Sequence, residues 1–244
     1  MKKAASKKKG ESQKTLRAPH LSHPPAKVGA LNGEKVNGKK VKLGSRFLRA
    51  FQFASEKHAD QTRKASTIPY VAHLMGVASL VLEAGGDEDL AIAALLHDVV
   101  EDCGGAPMLN EVRRRFGQRV AKIVDGCTDA DTYPKPPWRE RKEKYIRRLK
   151  LEDADTRLVS AADKLNNVRS ILSDYRAVGE SVWSRFHGGR DGTLWYYRTL
   201  RDVFLTYEPN RVTRELELAV RELDSLTQER TDFGRSSAQL TVEA

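Results

Sequence analysis

The run Ala91-Ile92-Ala93-Ala94-Leu95-Leu96 leads without a break into His97-Asp98-Val99-Val100-Glu101-Asp102. Asp87 ahead of it is a good N-cap, and Glu88 and Asp89 fall in the first turn, where the helix dipole favours acids. The pattern predicts one helix from Asp87 to about Cys103, stopped by Gly104-Gly105. It is apolar on nearly every side before His97, which marks a buried central helix. On such a helix His97 shares a ridge with Glu101 and Asp98 shares one with Asp102. Three carboxylates and an imidazole then crowd a helix C-terminus, where the dipole disfavours anions. Burying them unpaired would cost several kcal/mol per ion. Val99 and Val100 continue the buried pattern through the motif, which speaks against a frayed, solvated end. A bound dication would relieve both problems, and local rules broken in this way mark functional sites.

The rest of the chain reads as helices around that element. Ser45 opens a helix with Phe47, Leu48, Phe51 and Ala54 at helical spacing, and Gln61 to Pro69 is a polar, basic loop. Pro69 opens a second helix through Leu82. Short helices are expected over Met108–Phe116 and Gln118–Asp125, then a loop from Thr128 to Pro137. A basic helix follows over Trp138–Lys150, and a long one over Asp155–Tyr175 turns Leu158, Val159, Ala162, Leu165, Val168 and Leu172 inward. Gly179–Phe186, Thr193–Tyr207 and an amphipathic helix after Pro209 complete the set. No segment alternates with period two and no repeat is visible, so the expected class is all-α.

Further ligands must come from these other helices. Asp163 is an acid inside the apolar run Val159 to Leu165, with Asn167 one turn later on the same face. His73 interrupts the apolar side of the second helix. Alone, each is more often a satisfied core polar group. Together with His97 and Asp98 they supply two imidazoles and two carboxylates, a nitrogen and oxygen set suited to Mn²⁺, Fe²⁺ or Zn²⁺.

Four stretches, in order, resemble the RelA/SpoT-type HD hydrolases: His58-Ala59-Asp60-Gln61-Thr62-Arg63-Lys64, Ile68-Pro69-Tyr70-Val71-Ala72-His73, Ala94 to Asp102, and Ala162-Asp163-Lys164-Leu165-Asn166-Asn167. The resemblance covers roughly residues 45 to 205 and implies an HD-domain helical bundle around a metal site. It implies Mn²⁺-dependent removal of the 3′-pyrophosphate of (p)ppGpp, giving GDP or GTP. His73, His97, Asp98 and Asp163 would bind the metal, and Glu101 and Asp102 would position or deprotonate the attacking water. Arg63 and Lys64 would hold the pyrophosphate, and Asn167 would touch the nucleotide. Independently, a metal that polarises a phosphoryl oxygen and cations that stabilise phosphate charge are what such a reaction needs. Asp60 stands where a Gly is common, and Leu74 where a Pro often follows the His; both lie beside the substrate loop. Too little chain follows Tyr207 for a synthetase domain, so the resemblance implies the stand-alone small alarmone hydrolases. Rival readings are an HD site acting on an adenosine alarmone or NADPH, and a module that senses nucleotide without turnover.

Charge divides the chain. Residues 1–42 carry twelve Lys or Arg against two Glu, so the formal net charge of +10 resides there and the remainder is balanced. With almost no aliphatic periodicity, residues 1–44 read as a disordered basic tail that either binds nucleic acid or an acidic surface, or merely solubilises. The expected division is that tail, a hydrolase domain over 45–208, and a C-terminal helix and tail over 209–244. Two cysteines, Cys103 and Cys127, make no disulfide framework, and Cys103 reads as a small buried filler. No apolar run approaches the ~20 residues of a membrane span, so a cytoplasmic setting is the expectation. Arg139, Arg141, Lys142, Lys144, Arg147 and Arg148 read first as a solvated helix face and second as a phosphate-facing surface.

Overall fold

The computed structural model describes residues 40–130 and 134–240, with side chains as far as residue 228. The expected basic tail therefore lies outside the described residues up to residue 39, as does the centre of the Thr128–Pro137 loop. The helices are α1 (Ser45–Lys57), α2 (Val71–Glu83), α3 (Glu88–Leu96), α4 (Val99–Cys103) and α5 (Gly105–Phe116). They continue as α6 (Gln118–Cys127), α7 (Trp138–Leu149), α8 (Ala154–Val178), α9 (Gly189–Tyr207) and α10 (Arg211–Leu240). A 3-10 segment, Gly179–Arg185, joins α8 to α9, where an ordinary helix was expected. Among the described residues there is no strand, only an isolated antiparallel bridge between Thr62 and Pro69. The all-α expectation holds.

Helix α3 is the axis of the bundle. Asp87 caps it as expected, its Oδ1 accepting from Leu90 N at 3.0 Å. Every residue from Leu90 to Leu96 is buried, and α1, α2, α6 and α8 pack around it. Leu90, Ile92, Leu95 and Leu96 each contribute about 1.5–3 kcal/mol of burial to the bundle.

The single helix expected from Asp87 to Cys103 is instead two, broken at His97-Asp98. The physical reason is local. His97 Nδ1 donates to Ala94 O at 2.8 Å, so the imidazole serves a carbonyl that the backbone would otherwise use. The ridge from His97 to Glu101 is therefore interrupted, while Asp98 still begins a turn, its carbonyl accepting from Asp102 N at 3.0 Å. Glu101 and Asp102 then lie in the first turn of α4, on the favourable side of its dipole. The dipole conflict read from the sequence does not arise for them. Gly104, at φ 149°, permits the turn into α5, a backbone angle that a Cβ would oppose.

Two other features position the site. Residues 61–70 close on themselves, Arg63 N donating to Ile68 O and Tyr70 N to Gln61 O, each at 2.9 Å. Pro69 belongs to this strap, so α2 begins at Val71, after the expected start. Helix α8 carries the expected inward ridge and ends at Gly179, where φ is 62°. Helix α10 lays Val212, Leu216, Ala219, Val220 and Leu223 into the same apolar cluster. No helix among the described residues is long and apolar enough to cross a membrane.

Candidate active site

Three helices bring the expected ligands to one point. His73 comes from α2, His97 and Asp98 from the α3–α4 break, and Asp163 from α8. The ligand atoms of His73, His97 and Asp163 all lie within 4.8 Å of one another, and the three residues are 3%, 2% and 5% exposed. His73 Nε2 stands 3.3 Å from His97 Nε2 and 3.2 Å from Asp163 Oδ1. His97 Nε2 stands 2.9 Å from Asp98 Oδ2 and 3.6 Å from Asp163 Oδ1.

The outer nitrogens decide what the inner ones can do. His97 Nδ1 is committed to the Ala94 carbonyl, and His73 Nδ1 donates to Asn166 Oδ1 at 2.7 Å. Each neutral ring then carries its proton on Nδ1 and turns an Nε2 lone pair inward. Two lone pairs and two carboxylates facing one another without a proton between them repel. The donor set fits a divalent cation, and nitrogen with oxygen ligands suits a borderline transition metal. Burial disfavours the charged imidazole of His97, but Asp98 and Asp163 outweigh it and lift His97 well above its ordinary value. Burial likewise works to raise Asp98, and the facing His97 and His73 hold it well below the usual carboxylate range.

The carboxylates are themselves held. Tyr70 OH donates to Asp98 Oδ2 at 2.5 Å; burial and Asp98 push that hydroxyl far up, so it remains a donor. Asp163 Oδ2 pairs with the buried Lys164 ammonium, and Asp163 Oδ1 accepts from Asn167 Nδ2 at 2.5 Å. Asn167 Oδ1 in turn accepts from Arg63 Nη2 at 2.9 Å. Asn167 therefore links Asp163 of the buried cluster to Arg63 on the loop of residues 61–70, using both ends of its amide.

Glu101 and Asp102 occupy different settings. Glu101 accepts from Lys135 Nζ at 2.8 Å, Asp129 N at 3.2 Å and Arg141 Nη1 at 3.5 Å. Asp102 Oδ2 accepts from Gln61 Nε2 at 2.9 Å, and burial followed by the Asp98 charge raises its carboxyl above the ordinary value. Lys64 lies over the Phe186 ring at 5.4 Å, and burial, then Arg63 and Arg141, lower its ammonium.

The preferred reading of the α7 cations as a solvated face fails for two of them. Arg141 and Lys142 turn inward, both 2.5 Å from Asp129 Oδ2, and Arg141 reaches Glu101. Cys103 is half-buried, not buried; its thiol lies against His58 and is pushed up to about 11 by burial.

Sequence reasoning gave no role to Tyr70, Lys135, Lys164 and Asn166, which bind the first tier of side chains. Asn166 was within reach of it, since it lies three residues from Asp163 on the same helical ridge.

Comparison with known proteins agrees with this geometry. The HD domain family model matches residues 50–194. A guanosine-3′,5′-bis(diphosphate) 3′-pyrophosphohydrolase from Aquifex aeolicus is 39% identical over 126 residues, half of this chain but only 17% of that protein. MESH1 of Xenopus tropicalis, which carries the same enzyme name, is 42% identical over 132 residues, covering 51% of this chain and 68% of that one. Human MESH1 is 38% identical over 130 residues, 52% of this chain and 70% of that one. The solved structure of a metazoan SpoT ortholog that hydrolyses ppGpp superposes with a TM-score of 0.62 at 27% identity, over 75% of this chain and 98% of that one. The chain, with His97 and Asp98 at the α3–α4 break meeting His73 from α2 and Asp163 from α8, belongs to the HD domain family and within it groups with the proteins named as these 3′-pyrophosphohydrolases.

Proposed function

We propose that the protein hydrolyses the 3′-pyrophosphate of (p)ppGpp, releasing pyrophosphate and leaving GDP or GTP, with Mn²⁺ held by His73, His97, Asp98 and Asp163. The observation that carries this reading is the convergence of two Nε2 lone pairs with Asp98 and Asp163 beside a rim of cations. A bound dication supplies Lewis acidity toward a phosphoryl oxygen and lowers the pKa of water. The chain's own groups do the rest. Asp102, raised by burial and by Asp98, is the better-placed general base for the attacking water, because its second oxygen is not already committed to a cation at hydrogen-bond distance. Glu101 gathers Lys135 and Arg141, keeping two positive groups at the mouth where the leaving pyrophosphate accumulates charge. Arg63 and Lys64 lie on the strap and hold the diphosphate, with Arg63 anchored through Asn167 and Ser170. Asn167 borders the nucleotide and orients Asp163 toward the ion. The balanced surface beyond residue 42 and two unpaired cysteines agree with a cytoplasmic enzyme.

Product analysis tests this. Mn²⁺-loaded protein is incubated with ppGpp, pppGpp, their adenosine counterparts and NADPH. Pyrophosphate with GDP or GTP is expected. Orthophosphate from NADPH alone would replace the proposal with a phosphomonoesterase, and no turnover of any of them would replace it with a sensing module.

A further inference from the structure

His58 plays no part in the reaction as described, yet it is 3% exposed in a chain whose other buried histidines are metal ligands. Its ring lies against Tyr70, centroids 5.0 Å apart and planes 27° from parallel. The Cys103 sulfur lies 3.8 Å from its Nδ1. That Nδ1 meets Gln61 Oε1 at 2.6 Å, and Gln61 Nε2 meets Asp102 Oδ2 at 2.9 Å.

The direction of this chain follows from what each atom can give. An ionised carboxylate only accepts, so the amide nitrogen of Gln61 must face Asp102. Its carbonyl oxygen then faces His58, and that oxygen only accepts, so His58 Nδ1 carries the proton. Donation runs His58 to Gln61 to Asp102, with each bond polarising the next. The backbone fixes Gln61 as well, since its N–H donates to His58 O at 3.0 Å and its carbonyl accepts from Tyr70 N at 2.9 Å. Among the described residues, Gln61 gives the hydrogen bond that the Asp102 carboxylate receives; Lys135 Nζ stays 3.9 Å away, drawn to Glu101.

We infer that Gln61 is a positioning residue, locked in one amide orientation by His58, which aims the Asp102 carboxylate at the attacking water. This rests on the general-base role given to Asp102 above. Without the His58 donor the Gln61 amide loses one of the two side-chain bonds that hold it and is free to rotate out of its contact with Asp102. The carboxylate then swings away from the ion-binding cluster. His58 also backs Tyr70, whose hydroxyl holds Asp98, so the test must separate the hydrogen bond from the stack.

Two variants do so. His58→Phe keeps a ring against Tyr70 and removes the donor, while His58→Asn keeps a side-chain N–H near the Nδ1 position. With Mn²⁺-saturated protein and ppGpp, H58F is expected to lower kcat about tenfold with KM unchanged, the scale of a lost charge-assisted hydrogen bond to a reacting group. H58N is expected to recover most of that loss. Mn²⁺ affinity by calorimetry is expected to match the unaltered protein in H58F, because the Tyr70–Asp98 bond survives. A third measurement needs no turnover. The Gln61 side-chain amide, assigned in ¹⁵N spectra by its loss in Q61E, is expected as a slowly exchanging pair that broadens or moves to the free-amide position in H58F and returns in H58N. If the nucleotide panel yields no product, this amide signal alone decides whether His58 locks Gln61. An unchanged Gln61 amide in H58F overturns the inference. So does an equal kcat loss in H58F and H58N that follows their loss of melting temperature, since that is a packing defect.

Discussion

Gly76 on α2 offers a sharp test of how the histidine ligands are oriented. A Cβ at this position would overlap the Nδ2 atom of Asn166 on α8 and sit 3.3 Å from its Cγ. Asn166 is the acceptor for His73 Nδ1–H, so Gly76→Ala drives away the group that fixes the tautomer and plane of the imidazole proposed above to bind the metal. Loss of such an outer partner typically costs 10–100-fold in metal affinity, or about 1.4–2.8 kcal/mol. The helix itself gains, because Ala is about 1 kcal/mol better than Gly in a helix interior. The expected signature of G76A is therefore weakened Mn²⁺ binding by one to two orders of magnitude with little loss of apoprotein melting temperature. Asn166→Ala should reproduce the affinity loss without the helix gain. Calorimetric titration of Mn²⁺ into both apoproteins, with thermal melts alongside, checks this. Unchanged affinity in both variants would refute the orienting role of Asn166, and a collapsed melt in G76A alone would show that the α2–α8 contact cannot yield.

Other expectations follow from the same side chains. Replacing His97 by Ala should abolish metal retention and turnover together, read by metal analysis of the purified protein, because the remaining ligands are left uncompensated. Asp102→Asn should lower kcat on the order of a hundredfold or more while metal content survives; Glu101→Gln should fall similarly, but with KM raised, because Lys135 and Arg141 lose their anchor. Asp153 caps α8 through Thr156 N, and although burial alone would raise it, Lys122 and Thr156 hold it down at about 2, below its ordinary 3.8. A depressed carboxylate gives stability that is present above its unfolded value and lost as pH falls through the folded one. The melting-point gap between wild type and Asp153→Ala, from a cap of about 1 kcal/mol, should thus hold from pH 7 to about 4 and close toward pH 2. Removing residues 1–42, which hold the net charge of +10, should leave turnover unchanged and abolish any nucleic-acid binding, whose affinity in the full chain should fall steeply with salt.

Fold class was legible because helical periodicity is local. Asp87 as a cap, the buried run before His97 and the inward ridge of α8 depend on neighbours within one or two turns. What could not be read were events decided by a competing partner. The break at His97 arises from one side chain taking the Ala94 carbonyl, and the α-helical pattern of Val99 and Val100 continues across it. Likewise the inward turn of Arg141 and Lys142 is set by Asp129, twelve and thirteen residues away across a loop. A charge run looks the same in sequence whether its acid faces it or not.

The site divides along the same line. His73, His97, Asp98 and Asp163 were visible as polar residues in places where burial makes polar residues costly, and that cost is what a sequence can display. Their holders violate nothing locally. Tyr70 ends a loop, Asn166 looks like any polar residue on a half-buried helix, and Lys164 follows an acid. Tyr70 and Asn166 meet their partners only when the strap of residues 61–70 reaches the α3–α4 break and α2 docks on α8, joining positions 28 and 93 residues apart. The strap is the decisive element, because Gln61 reaches Asp102, Arg63 reaches Asn167, and Tyr70 reaches Asp98 from within ten residues of chain. A single short segment thereby touches Asp102, Asp98 and, through Asn167, Asp163. Substitutions in it that never contact the ion should still change the rate.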